Sequence, residues 1–256
     1  MTLSYRCHVC GSEIEGRDVG AFGDAFIAHA RSEHPDWPYS DTAIRNFAEA
    51  TQRLTGSRTR QAVVGAVTVE LVTEALLDDW LSFFDHDVFA DNPAWASCYC
   101  VEPHLLEPGG WPDDSGDRHW QWYRKTMVDL LRASRVHGYL AFVEGKPAGW
   151  VNASLRSEYA LYRRGPGIEP ADGDVIGVSC FAIAPPYRRH GTAARLLDRV
   201  LADAPERGAT HIEAYPFKEE TEEDARNFRG PRSLLLSRGF EPVDERERYV
   251  VMRRRV

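Results

Sequence analysis

The sequence predicts an α/β (α+β) protein in which one larger domain follows a small N-terminal unit. Two observations indicate this organisation. Segments with strand character alternate with amphipathic helical segments from residue 63 onward, as in mixed α/β folds. Before residue 58, two cysteines and two histidines stand at the spacing of metal ligands. We therefore expect a zinc-finger-like unit over residues 1–57, a linker over residues 58–62 and a domain over residues 63–256.

The composition excludes several classes of protein. Hydrophobic residues make up 43% and charged residues 27% of the chain, which is ordinary for a soluble globular protein. The chain has no run of about 20 apolar residues and its start has no signal-peptide core. We therefore expect a cytoplasmic protein with no membrane partner. Five cysteines, an odd number, favour free thiols and metal binding over a disulfide framework.

The N-terminal unit carries a candidate metal site. Cys7 and Cys10 form a Cys-x2-Cys pair, and His29 and His34 follow at x18-His-x4-His. The cysteines suit one ion held in a tight turn, and the histidines fall near one face of a helix predicted over residues 24–33. The pattern resembles a C2H2-type zinc finger with a spacer longer than about twelve residues, which implies one structural Zn²⁺. The alternative is a chance pair of cysteines and two surface histidines.

The charge of this unit argues against nucleic acid as its partner. Residues 1–57 carry five basic and eight acidic side chains, and this net negative charge repels phosphates. The net charge of the whole chain, -8, has the same sign. Recognition of another protein, or structural support of the larger domain, is therefore favoured. A helix over residues 42–54, capped by Asp41, completes the unit.

The larger domain reads as an ordered series of elements. Strands are predicted over residues 63–72, 139–144, 147–155, 175–183, 211–215 and 248–253, and helices over residues 73–84, 118–135, 194–204 and 232–237. An irregular stretch over residues 85–117 separates the first two helices. Gly145 lies in the turn of a hairpin, and Gly239 ends the last helix.

The most specific motif joins the strand at 175–183 to the helix at 194–204. Its residues are Arg188, Arg189, His190, Gly191, Thr192 and Ala193, an Arg-x-x-Gly-x-Ala loop. Such a junction directs backbone N–H groups and the positive end of a helix dipole at one point, which suits a pyrophosphate. Gly191 lets the backbone approach the ligand closely. With the preceding Phe-Ala-Ile-Ala-Pro-Pro-Tyr, the loop resembles the coenzyme A-binding segment of the GNAT superfamily of N-acetyltransferases.

The resemblance covers residues 63–256 and implies the GNAT fold, a mixed, mostly antiparallel central sheet flanked by helices. It implies acetyl-CoA as co-substrate. Phe181, Ala182 and Ile183 would pair with the pantetheine arm, and the loop at 188–193 would wrap the pyrophosphate through main-chain N–H groups. It also implies an acyltransferase that moves an acetyl group to an amine of a small molecule or protein by direct attack on the thioester.

This chemistry needs a base for the amine and a group that polarises the carbonyl. The family's usual acid is a tyrosine, and Leu235 takes that position here. We expect Tyr215 as the substitute acid. Glu213 shares its strand and side-chain parity with Tyr215, so it is a candidate base, and Asp174 is its rival. A surface charge on the sheet is the alternative for Glu213.

The acceptor pocket is expected between the first two helices and the hairpin. Cys100 lies in the irregular stretch, and Trp150 and Asn152 lie two apart on one hairpin strand. Cys98 and Cys100 with His104 could form a second metal site, or the two thiols could be a reactive pair. The alternative is that both thiols are small apolar residues of the pocket wall.

A non-catalytic function is the alternative to the enzyme. The missing tyrosine at Leu235 is compatible with an acyl-CoA-binding sensor or a protein-interaction module with a structural zinc. A protein partner of the zinc unit and a homodimer both stay open.

Overall fold

The computed structural model describes residues 2–7, 10–37, 39–55, 65–92, 95–105, 120–219 and 227–256. The predicted linker, residues 58–62, lies outside the described residues. In the part of the chain that is described, every helix is too short or too polar to span a bilayer.

The N-terminal unit is a small hairpin packed on two helices. Its elements are β1 (Leu3–Arg6), β2 (Glu13–Gly16), α1 (Val19–Glu33) and α2 (Asp41–Thr55). The two strands pair antiparallel, and the aromatic rings of Phe22 and Phe26 from α1 are buried against Ile44 from α2. This core lets a unit of fewer than 60 residues present a defined surface.

Two local expectations for this unit need correction. The hairpin was not predicted, because strands of four residues on either side of the Cys-x2-Cys turn give too short an alternation to be recognised. Asp41 does not cap α2. The backbone N–H of Ala43 donates to the Ser40 hydroxyl at 3.1 Å, and Asp41 instead forms an ion pair with Arg31 at 2.7 Å.

The larger domain is built on a seven-stranded sheet in the order β3-β4-β5-β6-β7-β9-β8. Its strands are β3 (Val67–Leu71), β4 (Gly138–Val143), β5 (Lys146–Leu155), β6 (Val175–Ile183), β7 (His211–Ala214), β8 (Glu241–Glu245) and β9 (Val250–Arg255). Among the described strands, only β6 and β7 pair in parallel, so the predicted mixed, mostly antiparallel sheet is confirmed. Strand β8 was missed because its exposed, charged residues form an edge with no apolar alternation.

Helices cover both faces of this sheet. They are α3 (Leu77–Ser82), α4 (Glu102–Leu105), α5 (Trp120–Arg132), α6 (Thr192–Asp203) and α7 (Arg232–Ser237). One face buries Trp80 of α3 and Met127 of α5. The other buries Leu197 of α6 and Leu235 of α7. The helix predicted over residues 73–84 is interrupted, because a 3-10 turn precedes α3 and a π-helical turn, Phe83–Asp87, follows it.

Strand β6 leaves its parallel neighbour before it ends. Pairing with β7 runs from Val175 opposite His211 to Val178 opposite Ala214, while pairing with β5 continues to Ile183. The last residues of β6 therefore have β5 on one side and an opening on the other. This divergence creates the space for the candidate site.

Candidate active site

A cavity of about 900 Å³ lies at the divergence of β6 from β7. The lining residues come mainly from four parts of the chain. These are the end of β6 with the start of α6 (residues 179–194), several residues between 88 and 103, several residues between 5 and 47 of the N-terminal unit, and residues 227–234. Tyr123 also lines the cavity. A volume of this size suits a sizeable ligand.

The loop before α6 has the geometry of an anion cradle. Gly191 caps the helix with a φ of 82°, a value that disfavours side chains. A Cβ at this position would meet nothing within 4 Å, so the space in front of the first helical turn is open. Arg188, Arg189, Thr192 and Ala193 also line the cavity. The unpaired N–H groups that begin any α-helix therefore face the ligand space.

Two predicted members of this loop are placed differently. His190 is exposed and lies outside the cavity lining. The guanidinium of Arg188 donates to the Ile183 carbonyl at 2.9 Å and pairs with Asp91 at 2.5 Å. Arg188 therefore ties the loop to the end of β6, while its backbone stays beside the cavity.

The open side of β6 is partly closed by the segment at 227–230. Phe181, Ala182 and Ile183 line the cavity as expected. However, the Phe181 N–H donates to the Phe228 carbonyl at 2.5 Å. A pantetheine arm that pairs with Phe181 must displace this contact.

A cluster of thiols forms the inner wall. Cys98, Cys100 and Cys180 all line the cavity, and the sulfurs of Cys100 and Cys180 lie 2.8 Å apart. The Cys180 thiol and burial raise the pKa of Cys100 well above its ordinary value. The pKa of Cys98 is also raised, because burial and the Glu102 charge outweigh the hydrogen bond with Cys100 that favours its thiolate. The thiols of Cys98 and Cys100 are therefore neutral wall groups near neutral pH.

Glu102 is a functional candidate that sequence reasoning missed. It begins α4 and is the one carboxylate among the described lining residues. Burial raises the pKa of its carboxyl, and the charge of Arg229 opposes this rise only in part. Arg229 lines the same cavity and is 3% exposed. A half-buried carboxyl with a raised pKa in a cleft has the properties of a general base.

Trp150 and Asn152 lie behind the wall and outside the cavity lining. Trp150 is fully buried, with its ring centroid 5.8 Å from that of Trp80. Asn152 donates to the Cys100 carbonyl at 3.3 Å and to Nε2 of His104 at 2.9 Å. These two residues support the segment that carries Cys100 and Glu102.

His104 belongs to the same supporting network. Its Nδ1 donates to the Glu158 carbonyl at 2.9 Å, because a carbonyl can only accept. Burial lowers the pKa of His104 to about 4, so the ring is neutral at physiological pH.

Glu213 and Tyr215 meet each other but not the cavity. The Tyr215 hydroxyl donates to Glu213 at 3.3 Å. The Glu213 carboxylate is fully buried and accepts from Arg156 at 3.0 Å and from Arg253 at 2.7 Å. Burial and the Glu213 charge raise the pKa of Tyr215 well above its ordinary value. Asp174 is exposed at the opposite end of β6 from the cavity.

Comparison with known families identifies the larger domain. The model of the acetyltransferase (GNAT) family matches residues 95–228, just over half of the chain. The chain belongs to the GNAT acetyltransferase family. The predicted family, fold and acyltransferase class are thereby confirmed. The family binds an acyl-CoA and an acceptor substrate, and the search of curated proteins found no match.

Solved structures give distant likenesses to this GNAT protein. The ribosomal-protein-S18-alanine N-acetyltransferase from Escherichia coli shares 15% identity over 75% of this chain and 94% of its own, with a TM-score of 0.41. The GNAT domain of S. lividans PAT shares 16% over 75% and 92%, with a TM-score of 0.47. The PaiA N-acetyltransferase from Thermoplasma acidophilum, in complex with coenzyme A, shares 10% over 75% and 99%, with a TM-score of 0.44.

Ahead of the GNAT domain, the four predicted metal ligands come together. The ligand atoms of Cys7, Cys10, His29 and His34 all lie within 4.8 Å of one another. Cys7 Sγ is 3.4 Å from Nε2 of His34, and Cys10 Sγ is 3.5 Å from Nε2 of His29. A zinc tetrahedron with ordinary bond lengths has S···N edges of about 3.6 Å. Within the described ranges, no second group of three such residues could hold an ion.

Proposed function

We propose that this GNAT protein is an acetyl-CoA-dependent N-acetyltransferase whose amine acceptor binds beside Glu102. The observation that carries the proposal is that one cavity joins the anion cradle before α6 to the half-buried Glu102 carboxyl, which has a raised pKa. The first part suits the donor's pyrophosphate, and the second suits removal of a proton from an amine. The acceptor is a small molecule or a protein amine.

The donor lies along the end of β6 in this proposal. Backbone N–H groups at residues 189–193 hold the pyrophosphate, and Phe181 to Ile183 hold the pantetheine arm once the contact with Phe228 has opened. An N–H group at the open side of β6 then polarises the thioester carbonyl, as in an oxyanion hole.

The transfer step uses the acceptor side. The amine nitrogen attacks the carbonyl carbon, the N–C bond forms and the C–S bond breaks. Glu102 takes the proton that the nitrogen loses, and the coenzyme A sulfur leaves as a thiolate. Free thiols have a pKa of about 8.5, so the thiolate leaves without a dedicated acid. This accommodates Leu235, which is fully buried in the core.

In this proposal, Glu213 is a buried residue with a structural role. Arg156 and Arg253 both donate to its carboxylate, and Glu213 lies outside the cavity lining. Glu213 and Asp174 as bases and Tyr215 as acid remain predictions, which the absence of all three from the cavity lining disfavours.

The N-terminal unit holds one structural Zn²⁺ in this proposal. Cys7, Cys10, His29 and His34 supply all four ligands of a closed tetrahedral site, which leaves no open position for chemistry. The Cys10 thiol is suited to the metal because the Ser12 hydroxyl and backbone lower its pKa to about 6.

A sensor that binds acyl-CoA without transferring the acyl group is the second candidate. Leu235 in place of the family's tyrosine and the occupied N–H of Phe181 favour it.

Two measurements decide between these functions. A calorimetric titration with acetyl-CoA tests the donor site, and the absence of binding would contradict both candidates. A thiol-release assay over a panel of amines then separates them. The enzyme predicts release that depends on at least one amine, with an acetylated product seen by mass spectrometry. Binding without any amine-dependent release supports the sensor.

A further inference from the structure

The N-terminal unit is docked on the GNAT domain through α2. Asn46 accepts a hydrogen bond from the Trp120 backbone N–H at 3.3 Å, and the Trp120 indole donates to Glu49. Ala50 packs with Ala96 and Phe89 from the segment that leads to the thiol wall. These contacts hold α2 beside the cavity, which Ala43, Ile44, Asn46 and Phe47 of this helix help to line.

The unit presents a row of aromatic rings to that cavity. Tyr5, Phe26, Trp37, Tyr39 and Phe47 all line it. The rings form a continuous series, with centroid distances of 4.9 Å for Tyr5–Phe47, 5.3 Å for Tyr5–Phe26, 6.0 Å for Phe26–Trp37 and 5.5 Å for Trp37–Tyr39. Phe26, Tyr5, Trp37 and Phe47 also pack in the core of the N-terminal unit, so the same rings stabilise the unit and form a wall of the cavity.

The charges of the lining are divided between the two ends. Arg188 and Arg189 belong to the donor loop, and Arg188 is paired with Asp91. On the acceptor side, Glu102 and Arg229 both line the cavity, and the Arg229 guanidinium lies 4.5 Å from the Phe217 ring centroid. The rest of the described acceptor side is aromatic, aliphatic, thiol or uncharged polar. A strongly polar acceptor would lose hydration there with few partners to replace it.

We infer that the N-terminal unit forms the specificity wall of the acceptor site, and that the acceptor is a primary amine on an aromatic body. The amine nitrogen lies at Glu102, and the aromatic body packs against the ring row. Aromatic pairs and cation–π contacts both favour such a ligand. The inference rests on the proposed function, because it specifies the acceptor of that reaction.

The first test compares 2-phenylethylamine with ethylamine, which carries the same nitrogen without the ring. Burial of the ring predicts a kcat/KM for 2-phenylethylamine about 100-fold higher or more. Equal values for the two amines would overturn the inference.

The second test fills the cavity from the N-terminal unit. Ala43 lines the cavity on α2, so Ala43→Trp should raise the KM for 2-phenylethylamine at least tenfold while the Kd for acetyl-CoA stays within about twofold. Ala28→Trp is the matched control, because Ala28 is exposed on α1 and outside the lining. If Ala43→Trp does not fold, Tyr39→Ala replaces it, since Tyr39 is 51% exposed; it predicts a rise in KM of about threefold or more.

The outcomes separate the inference from the function beneath it. If amines are acetylated but Ala43→Trp, or Tyr39→Ala in its place, leaves the KM for 2-phenylethylamine unchanged, the inference is wrong and the function stands. If no amine is acetylated, calorimetry with 2-phenylethylamine in the presence of coenzyme A decides. Binding that the tested variant weakens and Ala28→Trp leaves intact supports the wall, although the enzyme proposal has failed. If 2-phenylethylamine does not bind to the wild-type protein, the inference about the specificity wall is wrong as well.

Discussion

The donor and acceptor halves of the cavity are built in different ways. The donor half is one continuous stretch, from the end of β6 through Gly191 into α6. The acceptor half is assembled from residues 5–47, 88–103 and 227–234, which are far apart in the chain. A local strand–turn–helix sequence fixes the first half, whereas tertiary packing alone creates the second. The donor can therefore be read from the sequence, while the acceptor needs the structure.

Two carboxylates, the buried Glu213 and the half-buried Glu102, repeat this contrast. Glu213 and Arg156 are fully buried and form an ion pair, and Arg253, whose side chain is 20% exposed, pairs with the same carboxylate. For Glu102, burial raises the pKa of the carboxyl and the charge of Arg229 opposes this rise only in part. The same residue type is a structural anchor in one environment and a candidate base in the other.

Removal of the metal should have the largest effect, because it should abolish the acceptor half of the cavity and leave the donor half intact. Structural zinc sites contribute about 10 kcal/mol or more in small zinc-binding peptides, so a chelator should unfold the N-terminal unit and remove the aromatic wall. We expect about one zinc per chain in purified protein by metal analysis. After chelation, amine acetylation should be lost while the Kd for acetyl-CoA changes little.

The Cys10→Ser variant should behave like the chelated protein. The Cys98→Ser variant removes a thiol that is not one of the four predicted zinc ligands, so the protein should keep its zinc. Purified protein without zinc, or unchanged acetylation after chelation, would refute the structural role of the metal.

Glu102→Gln tests the acceptor half chemically. Loss of a general base should lower kcat by about 10²- to 10⁴-fold, with acetyl-CoA affinity retained. Glu102 works as a base only when ionised, and its pKa lies above the ordinary 4.5. The kcat/KM of the wild-type protein should therefore fall as the pH drops through that raised pKa, and the variant should lack this acidic limb. Glu74→Gln, at an exposed ion pair with Arg132, should keep the wild-type rate.

The Glu213→Gln variant tests whether Glu213 is a structural residue, in contrast to the candidate base Glu102. Removing one partner of a buried ion cluster costs about 3–5 kcal/mol, so urea unfolding should show a large loss of stability. The kcat of the folded protein should remain close to that of the wild type. If kcat instead falls as far as in Glu102→Gln with stability intact, Glu213 is the base and the roles of the two carboxylates are reversed.

A pair of glycine substitutions tests the donor loop with the smallest expected effect. Gly191 and Gly208 have φ values of 82° and 74°, and a Cβ at either position would meet nothing within 4 Å. Alanine should therefore cost about 1 kcal/mol of stability at each. Only Gly191→Ala should also weaken acetyl-CoA binding, about tenfold, by moving the N–H groups of the cradle. If the two variants bind acetyl-CoA with equal affinity, the loop at Gly191 does not form part of the donor site.

Several elements could be predicted because their signals are local. Strand β6 and helix α7 match their predicted bounds, since β6 is a continuous apolar run and Gly239 ends the segment after α7 with a φ of 76°. The four zinc-ligand candidates converge because their spacing already restricts them to one turn and one helix.

Other features could not be read because they depend on the packing of distant segments. Trp150 and Asn152 face the predicted side, but the segment that carries Cys100 lies between them and the cavity. Glu102 stands in a stretch with no periodic pattern, and only its burial near Arg229 distinguishes it from a surface carboxylate. The contribution of α2 to the cavity also appears only once the unit is docked on the domain.

Amide hydrogen exchange tests the division of the cavity into two halves most directly. Acetyl-CoA should protect backbone amides at residues 181–194, and 2-phenylethylamine added with coenzyme A should protect residues 43–47 and 97–103 in addition. Protection by the amine confined to residues 211–215, around Glu213, or no protection of α2, would contradict an acceptor site shared by the N-terminal unit and the GNAT domain.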